Sequence, residues 1–188
     1  MRAFLAIPLS EEVRAAACAS REVLAASGDG WRFVRDDGLH VTMRFLGELD
    51  PSGRGALDTA CLQAVSVEAR LPLRLIGADV VPSRRRPKIL WLGVVDESAE
   101  GRLARLAGRL ESAVRSLGFP PEERPFSAHV TLARARRGTR VLIPPVEQIG
   151  DLGSFVADRV VLYRSGLLPG GSVYHEEASY PLGTGDAM

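Results

Sequence analysis

Two six-residue stretches, HVTMRF at 40–45 and HVTLAR at 129–134, constrain the fold of this chain more than any other feature. Side chains on a strand alternate between its two faces, so residues i and i+2 point the same way. The first stretch therefore predicts a strand with Val41, Met43 and Phe45 on an apolar face and His40, Thr42 and Arg44 on the other. In the second, Val130 and Leu132 oppose His129 and Thr131. Each strand needs a core on one side and presents a histidine-threonine pair on the other. One such pair is ordinarily a polar face and nothing more. Two copies in a chain with only 3 histidines are poorly explained by accident.

The rest of the sequence supplies a frame for these strands. Arg2 to Ile7 reads as a strand, and Ser10 as the N-cap of a helix running to Ala26, with Glu11 and Glu12 in its first turn. Gly28 and Gly30 close that helix before the short strand WRFV. A second helix is expected between Ser52 and Ala69, and a third, with the clearest apolar stripe, from Glu97 to Leu117. LPLRLIGADV and ILWLGVV read as paired strands around the loop PSRRRPK, and FPPEERP as a loop before the second motif. DRVVLYRS, a turn at LPGGS and VYHEEASYPL complete the chain as strand, turn and strand. This mixed order argues for an α+β fold. The length of 188 residues fits one domain spanning 1–188, and the repeated motif hints at two related lobes within it.

The two pairs suit acid–base chemistry on a phosphodiester. Imidazole titrates near pH ~6.5, so one ring can accept a proton from a nucleophile while the other donates to a leaving oxygen. Two threonine hydroxyls can donate hydrogen bonds to the non-bridging oxygens as their charge grows. Such a pair moves both protons without a metal. Asp36, Asp37 and Glu48 flank the first motif, but no ligand-spaced cluster joins the second.

The extended motifs resemble the RNA 2′,3′-cyclic phosphodiesterase, or 2′-5′ RNA ligase-like, branch of the two-histidine (2H) phosphoesterase superfamily. The resemblance covers nearly the whole chain: MRAFLAIPL, DDGLHVTMRFLGEL, RRRPKILWLGV, FSAHVTLAR and VVLYRSGLLPGGSVYHEEASYPL. It implies two pseudo-symmetric lobes, each an antiparallel sheet backed by helices, with both motifs facing a central cleft. It also implies metal-independent opening of a terminal 2′,3′-cyclic phosphate to a 2′-phosphomonoester, with no cofactor. His40 is then the proton donor and His129 the proton acceptor, with Thr42 and Thr131 on the phosphate oxygens. Some relatives also join RNA halves, such as those of tRNA, through a 2′-5′ linkage. Reversing the reaction exchanges the roles of the two histidines. ATP-driven ligation does not fit, since Lys88 is the sole lysine and RPKILW matches no adenylation motif.

Two arginines are candidate phosphate ligands. Arg44 shares the face of His40, although a solvated edge is an equal reading. Arg134 follows the second motif, but strict alternation puts it opposite His129, so a bend or strand end is required to bring it round. RRR at 84–86, Arg136, Arg137 and Arg140 read either as solvated loops or as an RNA-tracking surface. Phe4, Phe45, Trp91 and Tyr174 include possible base-stacking groups, and His175 is expected at the surface.

Composition bounds these readings. A net charge of +1 gives no global field for polyanions, so any anion binding must be local. Cys18 and Cys61 read as free thiols of a reducing compartment, and no apolar run reaches the ~20 residues of a membrane span. A cytoplasmic enzyme is expected, with no membrane or obligate protein partner. Its substrate is RNA ending in a 2′,3′-cyclic phosphate; a small cyclic nucleotide and ADP-ribose cyclic phosphate are the alternatives. A non-catalytic nucleotide- or RNA-binding module would not need two proton-transfer groups.

Overall fold

The computed structural model describes residues 1–26, 29–98, 101–168 and 171–183. Gly28, and Pro169 and Gly170 of the expected LPGGS turn, lie outside the described residues. The elements run β1 (Arg2–Pro8), α1 (Glu11–Ala25), β2 (Trp31–Phe33), β3 (His40–Glu48), α2 (Arg54–Ser66), β4 (Leu71–Val81) and β5 (Ile89–Asp96). They continue α3 (Arg102–Ser116), β6 (His129–Ala135), β7 (Asp151–Ala157), β8 (Arg159–Leu168) and β9 (Gly171–Pro181). Ser10 caps α1 by accepting a hydrogen bond from the Val13 N–H, as the sequence predicts. The third helix starts at Arg102 rather than at the expected Glu97, and the Asp96 carboxylate accepts from the Leu103 N–H near its start. The sequence reading omits β7, whose DLGSFVA has Gly153 on the face that Phe155 and Ala157 bury, where alternation needs an apolar side chain. It is held by pairing with β4 and by α1 packed against it.

The strands follow the order β7-β4-β5-β6-β3-β1-β8-β9, with β2 also on β6, and every strand pair is antiparallel. The seam between the halves is narrow: β3 and β6 share one residue pair, Val41 with Val130. One half is β1, β3, β8 and β9; the other is β2 and β4 to β7. The helices cross between them. α1 follows β1 but packs on β7, whereas α3 follows β5 but packs on β3 and on α2. Each half is thus an antiparallel sheet backed by helix, and the expected two-lobed α+β architecture is observed.

A buried ion cluster fastens α3 to the end of α2. Glu68, 5% exposed, accepts from Arg102 at 2.7 Å and from Arg109 at 2.5 Å. The apolar stripe of Leu103, Leu106, Leu110 and Val114 is fully buried, while Leu117, at the end of the expected stripe, is exposed. Among the described residues, no helix is long and apolar enough to cross a membrane.

Strict alternation fails in both motif strands, at the same place. On β3, Leu5 faces Arg44 and Ala6 faces Thr42, so Met43 is an extra, bulged residue. On β6, Leu90 faces Ala133 and Trp91 faces Thr131, so Leu132 is bulged. A bulge adds one residue to one strand and inverts the faces of everything beyond it. This inversion decides which arginine reaches the cleft.

Candidate active site

The Val41–Val130 pair places the two motifs in head-to-tail order. One step either way along the antiparallel register sets His40 opposite Thr131 and Thr42 opposite His129. Both valines are fully buried, so the four polar side chains share the opposite, cleft-facing side of the sheet. A cavity of about 380 Å³ opens there, lined by His40, Thr42, Thr131, Arg134, Phe45 and Tyr174, among others. His129 shares the strand face of Thr131 but is not among the residues that line that cavity; its charge acts on His40. A larger depression, about 550 Å³, lies between α2 and α3 but includes neither histidine.

The arginine assignments divide. Beyond the Leu132 bulge, Arg134 turns into the cleft, which is the bend its role requires. Beyond the Met43 bulge, Arg44 turns the other way, and its expected place beside His40 is not observed. It is 7% exposed and pairs with Glu111 of α3, also donating to the Phe45 and Pro120 carbonyls. Arg44 therefore ties the first motif strand to α3, and it is Phe45, 48% exposed, that lines the cleft in its stead.

The histidines sit in unlike surroundings. His40 packs against Phe4 at 4.8 Å, Tyr174 at 5.1 Å and Tyr163 at 6.0 Å between ring centroids. These rings cover much of the imidazole, which also borders the cavity. Burial pushes His40 down to about 4; a hydrogen bond to the Gly38 backbone works the other way, and the positive charges of Arg134 and His129 add to the lowering. Among the described aromatic rings, Trp91 is the one that packs against His129, at 4.6 Å. Its Nδ1 lies 2.8 Å from the Ser127 carbonyl, which can only accept. The proton of the neutral ring is therefore on Nδ1, leaving Nε2 with a lone pair. Burial lowers His129 too, against that hydrogen bond and with help from Arg134 and Arg124.

Tyr163 is an aromatic neighbour of His40 that the sequence reading passes over. It faces Phe4 across the β1–β8 pair and stacks on it at 5.4 Å; burial and Glu176 push its hydroxyl up to about 12. The pairing of β8 with β1, which the segment DRVVLYRS does not encode, brings it to Phe4 and His40. His175 is exposed, as expected. Cys18 and Cys61 are free; burial pushes the Cys61 thiol up to about 12, which leaves it unreactive.

Comparison with known proteins agrees with this geometry. The family model described as LigT like Phosphoesterase matches residues 7–91 and 93–174. An RNA 2′,3′-cyclic phosphodiesterase of Aeropyrum pernix is 31% identical over 82% of this chain and 88% of its own length. One of Thermus thermophilus is 33% identical over 93% of this chain and 86% of its own. Among solved structures, TT0787 of Thermus thermophilus superposes with a TM-score of 0.84 at 30% identity, over 100% of both chains. E. coli LigT complexed with 3′-AMP gives a TM-score of 0.75 at 27% identity, over 96% of this chain and 97% of that one. With two bulged His-Val-Thr strands meeting at one cleft and this match along most of its length, the chain belongs to the LigT-like phosphoesterase family of 2H phosphoesterases.

Proposed function

We propose that this phosphoesterase hydrolyses the terminal 2′,3′-cyclic phosphate of RNA to a 2′-phosphomonoester, by proton transfer between His40, His129 and the substrate. The observation that carries the reading is the Val41–Val130 pairing, which sets each histidine beside the other motif's threonine on one cleft. The activity of the relatives named above supplies the substrate class. Water attacks phosphorus in line with the 3′-oxygen, and His129 Nε2 takes its proton. The P–O3′ bond breaks as His40 gives a proton to the departing oxygen. Thr42 and Thr131 donate to the non-bridging oxygens, and Arg134 balances their charge. Both protons are handled by imidazole, so the step needs no metal.

The depressed His40 suits a donor. An imidazolium with a pKa of about 4 is a strong acid, and its scarcity near neutral pH is relieved when the phosphate anion enters and attracts the proton. A 5′-hydroxyl in place of water would give a 2′-5′ linkage by the same proton transfers, so the proposed mechanism also provides a route to ligation.

The deciding assay uses an oligoribonucleotide ending in a 2′,3′-cyclic phosphate, in EDTA, with product identification. A 2′-phosphate is expected; a 3′-phosphate overturns the regiochemistry, and activity only with added metal overturns the mechanism. A substrate carrying sulfur at the 3′ position separates the histidines, because a thiolate leaves without a proton. It should restore turnover to His40→Ala and not to His129→Ala; the reverse pattern exchanges their roles.

A further inference from the structure

Resting on that phosphodiesterase reading, we infer that the arginines along the β2–β6 edge form a track for the RNA phosphates upstream of the cyclic end. The substrate is then a polynucleotide chain in preference to a cyclic mononucleotide. Arg32 of β2 and Arg134 of β6 are direct cross-strand partners. Directly opposed residues share a face with Cβ atoms about 5 Å apart, and like charges so placed oppose the pairing. Arg134 lines the cleft, and so does Val34, two residues beyond Arg32 on the same extended run, while Trp31 between strand and core is buried. Both guanidinium groups therefore stand on the cleft side.

Some arginines of the chain are held by carboxylates and others are not. Arg54, Arg74, Arg102, Arg109 and Arg164 all hold carboxylates within 3 Å. Among the described residues neither Arg32 nor Arg134 has such a partner. Arg136 extends the row: its backbone N–H donates to the Gly30 carbonyl at 2.8 Å and its Nε to the Trp31 carbonyl at 3.2 Å. The loop that follows is pressed onto the same strand. Gly30 has φ 84°, and a Cβ there would lie 2.6 Å from the Arg140 carbonyl oxygen. Since the whole protein carries only +1, this is a local concentration of charge, not part of a basic surface. An uncompensated like-charge pair leading out of a phosphate-handling cleft fits a ligand with several phosphates in sequence. Because a cyclic phosphate closes the 3′ end, those phosphates lie on its 5′ side.

The test compares kcat/KM for a 2′,3′-cyclic mononucleotide and for oligoribonucleotides of two to six residues with the same end, using wild type and Arg32→Gln. Wild type is expected to favour the longer substrates, and Arg32→Gln to cut that preference about tenfold. The salt slope of log Kd for an oligonucleotide ending in a 2′-phosphate should fall by about 0.7 for the lost contact. The thermal midpoint of the unliganded variant should rise, because the repulsion with Arg134 is relieved. An equal loss on both substrates assigns Arg32 to the reacting phosphate and overturns the track. So do a wild type indifferent to chain length and a lowered midpoint in the variant. If wild type turns over none of these substrates, the phosphodiesterase reading itself fails.

Discussion

The two halves of the cleft begin with the same three residues and end as different environments. After His-Val-Thr, both strands bulge at the next residue, Met43 or Leu132. The following positions are Arg44 and Ala133, both turned to the core side, and then Phe45 and Arg134, both turned to the cleft. The first half thus offers His40 walled by three aromatic rings, with Phe45 at the opening. The second offers His129 against one indole, with Arg134 at the opening. Repetition fixes where the two histidine-threonine pairs stand; the residues around the repeat make one imidazole a poorer holder of protons than the other.

The largest effects should come from the repeated residues. His40→Ala and His129→Ala are each expected to lower kcat by about 10³-fold on the normal substrate, measured by single-turnover hydrolysis. A variant that keeps full turnover breaks the comparison outright. Thr42→Val and Thr131→Val should each cost on the order of 10²-fold in kcat, as lost donors to the transition-state oxygens. Equal costs would make the two halves equivalent toward the phosphate; unequal ones would show which half carries more of its charge.

Next in size is an effect on stability that only the first half should show. Glu111→Ala leaves the Arg44 guanidinium buried without its carboxylate and should cost about 3 kcal/mol, read from the urea midpoint. The matching position of the second half is Ala133, which has no charge to strand. A double variant, Arg44→Met with Glu111→Leu, should recover much of that loss. A single variant as stable as wild type would mean that this pair does not anchor β3 to α3.

The smallest effect is on pH dependence. Catalysis in the proposed direction needs His40 protonated and His129 neutral, yet both are depressed in the free protein. The acid limb of kcat/KM should therefore lie near about 4, and the alkaline limb below the ordinary imidazole value of 6.5. Phe4→Ser admits water to His40, raises its pKa and should move the acid limb upward. Trp91→Ser should move the alkaline limb upward by the same logic. The His40 shift also acts on folding. The unfolded imidazole binds its proton more tightly than the folded one, so the contribution to stability is full above about 6.5 and is lost as pH falls toward about 4. A flat stability profile across that window would show that the aromatic wall does not exclude water.

Much of this was legible in the residues themselves. Ser10, the stripe from Leu103 to Val114 and the alternation in the long strands announced their elements, because capping and side-chain period are local physics. β7 was not legible, since its strand form comes from pairing with β4 and cover by α1, not from its own pattern. Tyr163 was missed for a related reason: its place beside Phe4 and His40 comes from the pairing of β8 with β1.

The sequence by itself determined the two His-Val-Thr strands, the need for a core beneath each, the α+β order and the choice of His40 and His129 as the proposed acid–base pair. Only the tertiary structure decided that the motifs pair through Val41 and Val130, that Arg134 enters the cleft while Arg44 leaves it, and that His40 is the more desolvated ring. The reason is the strand period of two. One inserted residue inverts every face beyond it, and the insertion is defined only against the partner strand, so no pattern within HVTMRF or HVTLAR could announce it.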